Sequence, residues 1–227
     1  MKKSKTLITG LILTALIFIA SFLGKDILTN ADVFPKTFGF HTIMLILSII
    51  AIVLFKNKVN YTIKLPKYDT LLNPVAVGLL VSILVNLIVN VMNNKMGIKP
   101  ESLNNVLNLN PTQAFIFIFI YASIAEELLF RGFLLNYLSP FKTHLVPFFK
   151  RTLSLSIIIS AFAFGIAQFI LFSVITEYSL AFKVAVFSFV LGIFTGYYQE
   201  KYNNNIYAIL VHMAAYFTTY ISVLYLH

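Results

Sequence analysis

The sequence predicts an all-α fold, a polytopic membrane bundle of about seven (seven to eight) transmembrane helices, and three observations carry that expectation. Apolar residues make up 59% of the 227-residue chain against 11% charged, with a mean hydropathy of +0.87. A soluble domain would have roughly 45–50% apolar and 25% charged residues. Apolar runs about as long as a bilayer is thick recur along the chain. The connectors between them are short and polar, and none is large enough for a soluble domain.

The first run, about Leu7 to Leu23, follows the basic residues Lys2, Lys3 and Lys5. It is longer than the apolar core of a secretory signal and leads into more apolar sequence, so it reads as a retained span. A mixed-charge loop, Lys25 to Lys36, precedes a second span from about Phe38 to Phe55. Lys56 to Thr70 is a basic connector. A third span, about Leu71 to Val91, carries Asn86 and Asn90, which are expected to bond across helices. After a polar stretch, Asn93 to Asn110, Pro111 opens a central helix that runs to about Leu138, as a proline at the first helical position does. Ser139 to Arg151 is a further basic connector with room for a short interfacial helix. Spans from about Thr152 to Phe172, Ala181 to Tyr198 and Ile206 to Leu226 complete the chain, and Gly192-x-x-x-Gly196 has the small-residue spacing that lets helices approach closely.

Net charge is +9, but the charge sits beside the spans, which points to orientation and anionic lipid and away from nucleic acid. With the N-terminus cytoplasmic, most Lys and Arg fall on the inside, and only Lys25, Lys36, Lys95, Lys99 and Lys183 fall outside. The expected location is the cell membrane, multi-pass. Membrane lipids and a peptide or membrane-protein substrate are the expected partners, and the oligomeric state is not legible. There is no cysteine, hence no disulfide framework, thiol nucleophile or thiolate metal site. The histidines are His41, His144, His212 and His227; no two share a helical turn, which rules out a His-Glu-x-x-His zinc helix. No cofactor is implied with certainty; a divalent metal such as zinc is disfavoured because the histidines are not clustered.

The central helix carries the chemistry. Glu126-Glu127-Leu128-Leu129-Phe130-Arg131 places two acids and a base in an apolar run, at a cost of roughly 2.5–3.5 kcal/mol for each charge at the centre of a membrane helix. Glu127 and Arg131 are spaced i, i+4 with the acid first, the favourable order for a pair. Glu126 points elsewhere and lacks that partner, which makes it a candidate site residue. The same three charges also fit a structural polar clamp between helices, and the residues by themselves leave both readings open.

Glu126-Glu127 with Arg131, followed by Gly132-Phe133-Leu134, resembles the Glu-Glu-x-x-x-Arg signature of the CPBP family. These are the CAAX-protease and bacteriocin-processing membrane proteins, also called the Abi or type II CAAX prenyl endopeptidase family. The resemblance divides the chain into 1–110, N-terminal transmembrane helices and basic connector, and 111–227, a CPBP-like core, within one integral membrane domain. The family continues with Phe-x-x-x-His, and here Phe164-Gly165-Ile166-Ala167-Gln168 keeps the frame but ends in glutamine. A later His-x-x-x-Asn or His-x-x-x-Asp is matched by His212, with Tyr216 in place of the amide or acid.

The resemblance implies an intramembrane endopeptidase in which Glu126 activates water together with the histidine of the second motif, whose place Gln168 takes here, and His212 with its partner stabilises the oxyanion. Glu127 and Arg131 hold the charges in place, and Gln168, Phe164 and Tyr216 line the site. A buried carboxylate can serve as a general base for water. Glutamine cannot exchange a proton near neutrality, and loss of an acid–base partner costs on the order of 10² to 10⁴ in rate. His144 is the conceivable substitute, in a connector that nothing in the sequence places at the site. Two function classes follow: an endopeptidase trimming a membrane-associated peptide or protein, as in bacteriocin self-immunity or peptide processing, or an impaired relative acting as a membrane binding, immunity or regulatory protein. A small transporter is disfavoured because the charges cluster on one helix. Depth strains the grouping. Counted at about 1.5 Å per residue from the expected inner helix ends, Glu126, His212 and Gln168 stand roughly 18, 9 and 24 Å up their helices.

Overall fold

A computed structural model describes residues 2–25, 34–35, 37–96, 110–148, 151–174 and 176–226. Helices occupy all seven expected positions: α1 Lys2–Leu23, α2 Phe38–Leu54, α3 Leu72–Met96, the central α4 Pro111–Leu135, α5 Leu155–Ser173, α6 Tyr178–Tyr202 and α7 Asn205–Leu226. Among the described residues, α1, α4, α5, α6 and the stretch Tyr68–Val91, which takes in most of α3, are long and apolar enough to cross a membrane. Helix α2 is apolar but spans 17 residues, and α7 spans 22. The protein is a multi-pass helical membrane protein. Most of the expected loops Lys25 to Lys36 and Asn93 to Asn110 lies outside the described residues.

Local chemistry sets the helix ends. Asn110 accepts from Gln113 N while the Gln113 side chain accepts from Asn110 N, a reciprocal capping box with Pro111 at the first turn. Two stretches of α4, Ala114–Ala122 and Leu128–Leu135, are π-helical and flank the five α-helical residues Ser123–Glu127. π-Helical geometry is rare and recurs at functional sites. Helix α6 ends on Asn203, whose φ of 46° is the left-handed conformation asparagine tolerates at a helix C-terminus.

Three expectations need correction. The connector after α4 is not an interfacial helix: a 3-10 turn, Ser139–Phe141, leads into an antiparallel hairpin, β1 Leu145–Phe148 paired with β2 Arg151–Ser154. Thr152 therefore lies in a strand, and α5 starts where the Ser154 hydroxyl accepts from Ile157 N. Among the described residues the Asn86 amide bonds within its own helix, to Ser82 O in the preceding turn, Asn90 is exposed, and a hydrogen bond from α3 to α7 joins Ser82 with Thr218. Lone polar side chains in apolar helices satisfy their own backbone when no neighbour is in reach.

Helix α4 runs through the middle of the bundle. Its buried Leu129, Phe130, Phe133 and Leu134 share one core with Phe18 of α1, Met44 of α2, Phe164 of α5 and Val211 of α7. Gly78 lets α3 meet α7 backbone to backbone, since a Cβ there would run into the Val211 carbonyl oxygen and stand 2.8 Å from the Ala214 Cβ. At one end of the bundle, basic segments converge: Lys3 reaches His144, Lys58 lies over Tyr137, and Lys64 is bonded to Asn204.

Candidate active site

The centre of the bundle holds a closed set of polar side chains. Glu126 is 3% exposed, Glu127, Arg131 and His212 are fully buried, and Gln168 is 1% exposed. Helix α4 contributes both acids and the arginine, α5 contributes Gln168, and α7 contributes His212.

One imidazole reaches two consecutive glutamates. His212 Nδ1 donates to Glu127 Oε1 at 2.7 Å, and His212 Nε2 stands 3.5 Å from Glu126 Oε2. That resolves the divergence of adjacent residues on a helix, because the two ring nitrogens themselves point apart. Arg131 Nη1 lies 3.2 Å from the same Glu127 oxygen, as the i, i+4 spacing anticipates. The guanidinium packs against a pair of neighbouring aromatic rings, its Cζ lying 4.6 Å from the Phe164 centroid and 5.9 Å from that of Phe130. Gly192 makes room for it: a Cβ there would come within 2.8 Å of Arg131 Nη2 and 2.9 Å of Ala161 Cα.

Glu126 is clamped on one oxygen and open on the other. Gln168 Nε2 donates to Oε1 at 2.7 Å. Oε2 faces His212 Nε2 across 3.5 Å, beyond ordinary hydrogen-bond length, and among the described residues neither atom has a hydrogen-bond partner. Tyr216 stands one turn beyond His212, its ring edge-on to the imidazole at 4.6 Å and its phenol beside Glu126. Phe164 packs 5.8 Å from the His212 ring.

Glu126, Glu127, Arg131, His212, Gln168, Phe164 and Tyr216 thus all meet in one place. The depth estimate fails for two reasons. Thr152 belongs to a strand below α5, and π-helical winding makes α4 shorter than its residue count suggests. His144 stays outside: it is exposed on the hairpin connector, near Lys3 and Thr143.

Sequence reasoning missed His41. It sits in the first turn of α2, 5% exposed, with Nε2 3.5 Å from Glu126 Oε1. A signal was present, since His41 and His212 are the histidines that fall within expected apolar spans, where such side chains are costly. Among the described residues, no group of three or more His, Asp and Glu is arranged to hold a metal ion.

No curated protein and no solved structure matches this chain. Residues 108–218, which contain Glu126, Glu127, Arg131, Gln168 and His212, match the family described as type II CAAX prenyl endopeptidase Rce1-like. Through that segment the chain belongs to this family of CAAX-type intramembrane endopeptidases.

Proposed function

We propose that the protein hydrolyses an amide bond of a membrane-associated peptide or protein, with Glu126 as general base. The observation that carries this reading is the asymmetry of the Glu126 carboxylate: Oε1 is clamped by Gln168, while Oε2 faces the unpartnered Nε2 of His212. A water bound between those two atoms is oriented by both. Glu126 takes one proton as the water oxygen bonds to the scissile carbonyl carbon. The intermediate then collapses with cleavage of the carbon–nitrogen bond, and the leaving amine carries away a proton.

Charge balance leaves one proton to place on an imidazole, and this reading places it on His212. Glu126, Glu127 and Arg131 sum to one negative charge, and in a low-dielectric interior one further proton makes the cluster neutral. On His212 that proton leaves Glu126 ionised and ready to accept. Nδ1–H is held by Glu127 Oε1, so Nε2–H is free to stabilise the oxyanion, a type of interaction worth several kcal/mol. The Tyr216 phenol supplies a second donor at the position where the family has an amide or acid.

An apolar cavity of about 440 Å³ between α1 and α5 supports a substrate with a hydrocarbon chain. It is lined by Phe18, Ala163, Phe130 and Ala167, the last two being chain neighbours of Arg131 and Gln168. A role in bacteriocin self-immunity or peptide processing fits a substrate of this kind. The convergence of basic segments at the end holding Lys3, Lys58 and Lys64 supports a cell-membrane orientation with the N-terminus cytoplasmic.

The test is cleavage of internally quenched peptides, with and without an S-farnesyl cysteine, by the protein in detergent micelles. Glu126→Gln keeps the shape and removes the base; we expect a rate loss on the order of 10² to 10⁴ with the fold intact. Wild-type turnover by a folded Glu126→Gln protein overturns the assignment.

A further inference from the structure

The imidazole that the α5 motif lacks is supplied from α2. We infer that His41 is the acid–base partner of Glu126 in this protein, replacing in space the histidine that Gln168 replaces in sequence. The inference rests on the reading of Glu126 as the general base.

Gln168 occupies the expected place and cannot do the expected work. Its amide donates to Glu126 Oε1 at 2.7 Å, but an amide neither takes up nor releases a proton near neutral pH. His41 Nε2 approaches that same oxygen at 3.5 Å from the opposite half of the chain. The carboxylate thus has an imidazole on each side, His41 at Oε1 and His212 at Oε2. The two are not equivalent. Glu127 fixes the tautomer of His212 by holding its Nδ1–H, whereas His41 Nδ1 is buried with no hydrogen-bond partner. Among the described residues only Glu126 itself therefore biases the His41 tautomer, so its Nε2 presents an N–H to the ionised carboxylate and a lone pair to the protonated one. That response suits a group that must receive a proton and return it.

Hydrolysis adds one water across the amide. Its oxygen bonds to the carbonyl carbon, the carbon–nitrogen bond breaks, and one water proton ends on the leaving nitrogen. Between those events the proton resides on the Glu126 carboxyl group, and His41 Nε2, 3.5 Å away, exchanges it with that group on a closer approach before it returns to the leaving nitrogen. Glu127, Arg131, His212 and the Tyr216 phenol are the other titratable or charged groups gathered around Glu126: His212 faces Oε2, Arg131 pairs with Glu127, and the phenol lies beside the carboxylate.

The placement of His41 is built and not incidental. The next residue, Thr42, accepts from the Tyr121 hydroxyl of α4 at 2.9 Å and donates to Phe38 O at 2.8 Å. This pins the first turn of α2 to the helix that bears Glu126. On the other side, Phe40 packs edge-on against Phe18 of α1 at 5.4 Å and against the His41 ring at 5.1 Å.

The experiment compares four variants on the quenched S-farnesyl peptide in micelles: His41→Gln, Gln168→His, the His41→Gln/Gln168→His double variant, and His144→Gln as a control outside the site. Folding is followed by thermal unfolding and by gel filtration. His41→Gln is expected to lower kcat by roughly 10²-fold or more with KM nearly unchanged. The double variant, which returns an imidazole to Glu126 from α5, is expected to recover at least about tenfold of that loss, a gain that a packing role for His41 does not predict. His144→Gln is expected to match wild type. A folded His41→Gln protein with wild-type kcat, or a double variant no faster than His41→Gln, overturns the inference. Loss of activity in Glu126→Gln alongside an active His41→Gln would reject His41 alone, whereas an active Glu126→Gln would reject the underlying assignment.

Discussion

His212 and Glu127 form a contact of the buried cluster as tight as that of Gln168 with Glu126, with Nδ1 to Oε1 at 2.7 Å and both side chains sealed from solvent. An ionised carboxylate has no proton to donate, so Nδ1 must carry the hydrogen, and the state of Nε2 alone then decides whether His212 accepts from water or donates to an oxyanion. Glu127→Gln keeps the size of the side chain but can offer its own N–H to Nδ1, which inverts the tautomer. We expect kcat to fall by about 10²-fold or more with KM little changed, measured by steady-state cleavage of the quenched peptide. Unchanged kcat in Glu127→Gln would show that the tautomer is immaterial.

Arg131 balances Glu127 where water cannot. Removing one member of a buried ion pair typically costs about 3–5 kcal/mol, because the survivor is left charged and unsolvated. Arg131→Met is therefore expected to lower the unfolding temperature in detergent sharply. Arg131→Met/Glu127→Gln should recover part of that loss, since the buried charge goes with its partner. A double variant no more stable than Arg131→Met would mean that the contact with the rings of Phe130 and Phe164, and not the charge, is what Arg131 contributes.

The seven helix positions were legible because bilayer thickness imposes a length on apolar runs, and this chain breaks them with lysine, asparagine and proline. The Glu127–Arg131 pair was legible from i, i+4 spacing on one helix. His41 was not, because its proximity to Glu126 depends on how α2 packs on α4, and no periodicity within either segment encodes that. The hairpin was missed for a related reason: Leu145–Phe148 contains Pro147 and does not alternate, and its four residues are all exposed. Gln168 read from the motif looked like a lost function; in three dimensions it is a clamp on the oxygen that His41 also approaches.

Gly192 is where α6 yields space to the Arg131 guanidinium. The closest atoms to an added Cβ are Arg131 Nη2 at 2.8 Å and, on α5, Ala161 Cα at 2.9 Å, a backbone atom that cannot step aside cheaply. Gly192→Ala is expected to cost about 1–3 kcal/mol, as overpacking a filled core does. Thermal unfolding checks this directly. Stability equal to wild type would mean that α5 and α6 can separate without loss.

The cavity between α1 and α5 gives a separate handle on substrate binding. Ala163 lines it together with Ile166 and Ile170, away from the polar cluster. Ala163→Phe fills part of the volume and leaves Glu126, His212 and Gln168 untouched. If the cavity receives the hydrocarbon chain of a substrate, KM for the S-farnesyl peptide should rise several-fold while kcat holds and the unmodified peptide is unaffected. An equal change for both peptides would remove the cavity from substrate recognition.

The turn between α6 and α7 sets where His212 sits, and a strap from the α2–α3 connector holds that turn. Asn204 Oδ1 accepts from Lys64 N and from Ile206 N, each at 3.2 Å, its Nδ2 donates to Lys64 O at 2.7 Å, and Asn205 N donates to Thr62 O at 2.9 Å. One side chain thus caps α7 and binds the strap at once, while Tyr61 of the same strap lies over Gly132 of α4. Asn204→Ala removes the side-chain bonds and leaves the backbone bond from Asn205. At about 0.5–1.5 kcal/mol net for each of the three hydrogen bonds, a loss of about 1.5–4.5 kcal/mol is expected. Hydrogen exchange at the Lys64 amide should accelerate in Asn204→Ala before the bundle unfolds, because that amide loses its acceptor while the helices keep theirs. Protection at Lys64 equal to wild type would mean that the strap is held by Val59, which is buried in the main core, and not by Asn204.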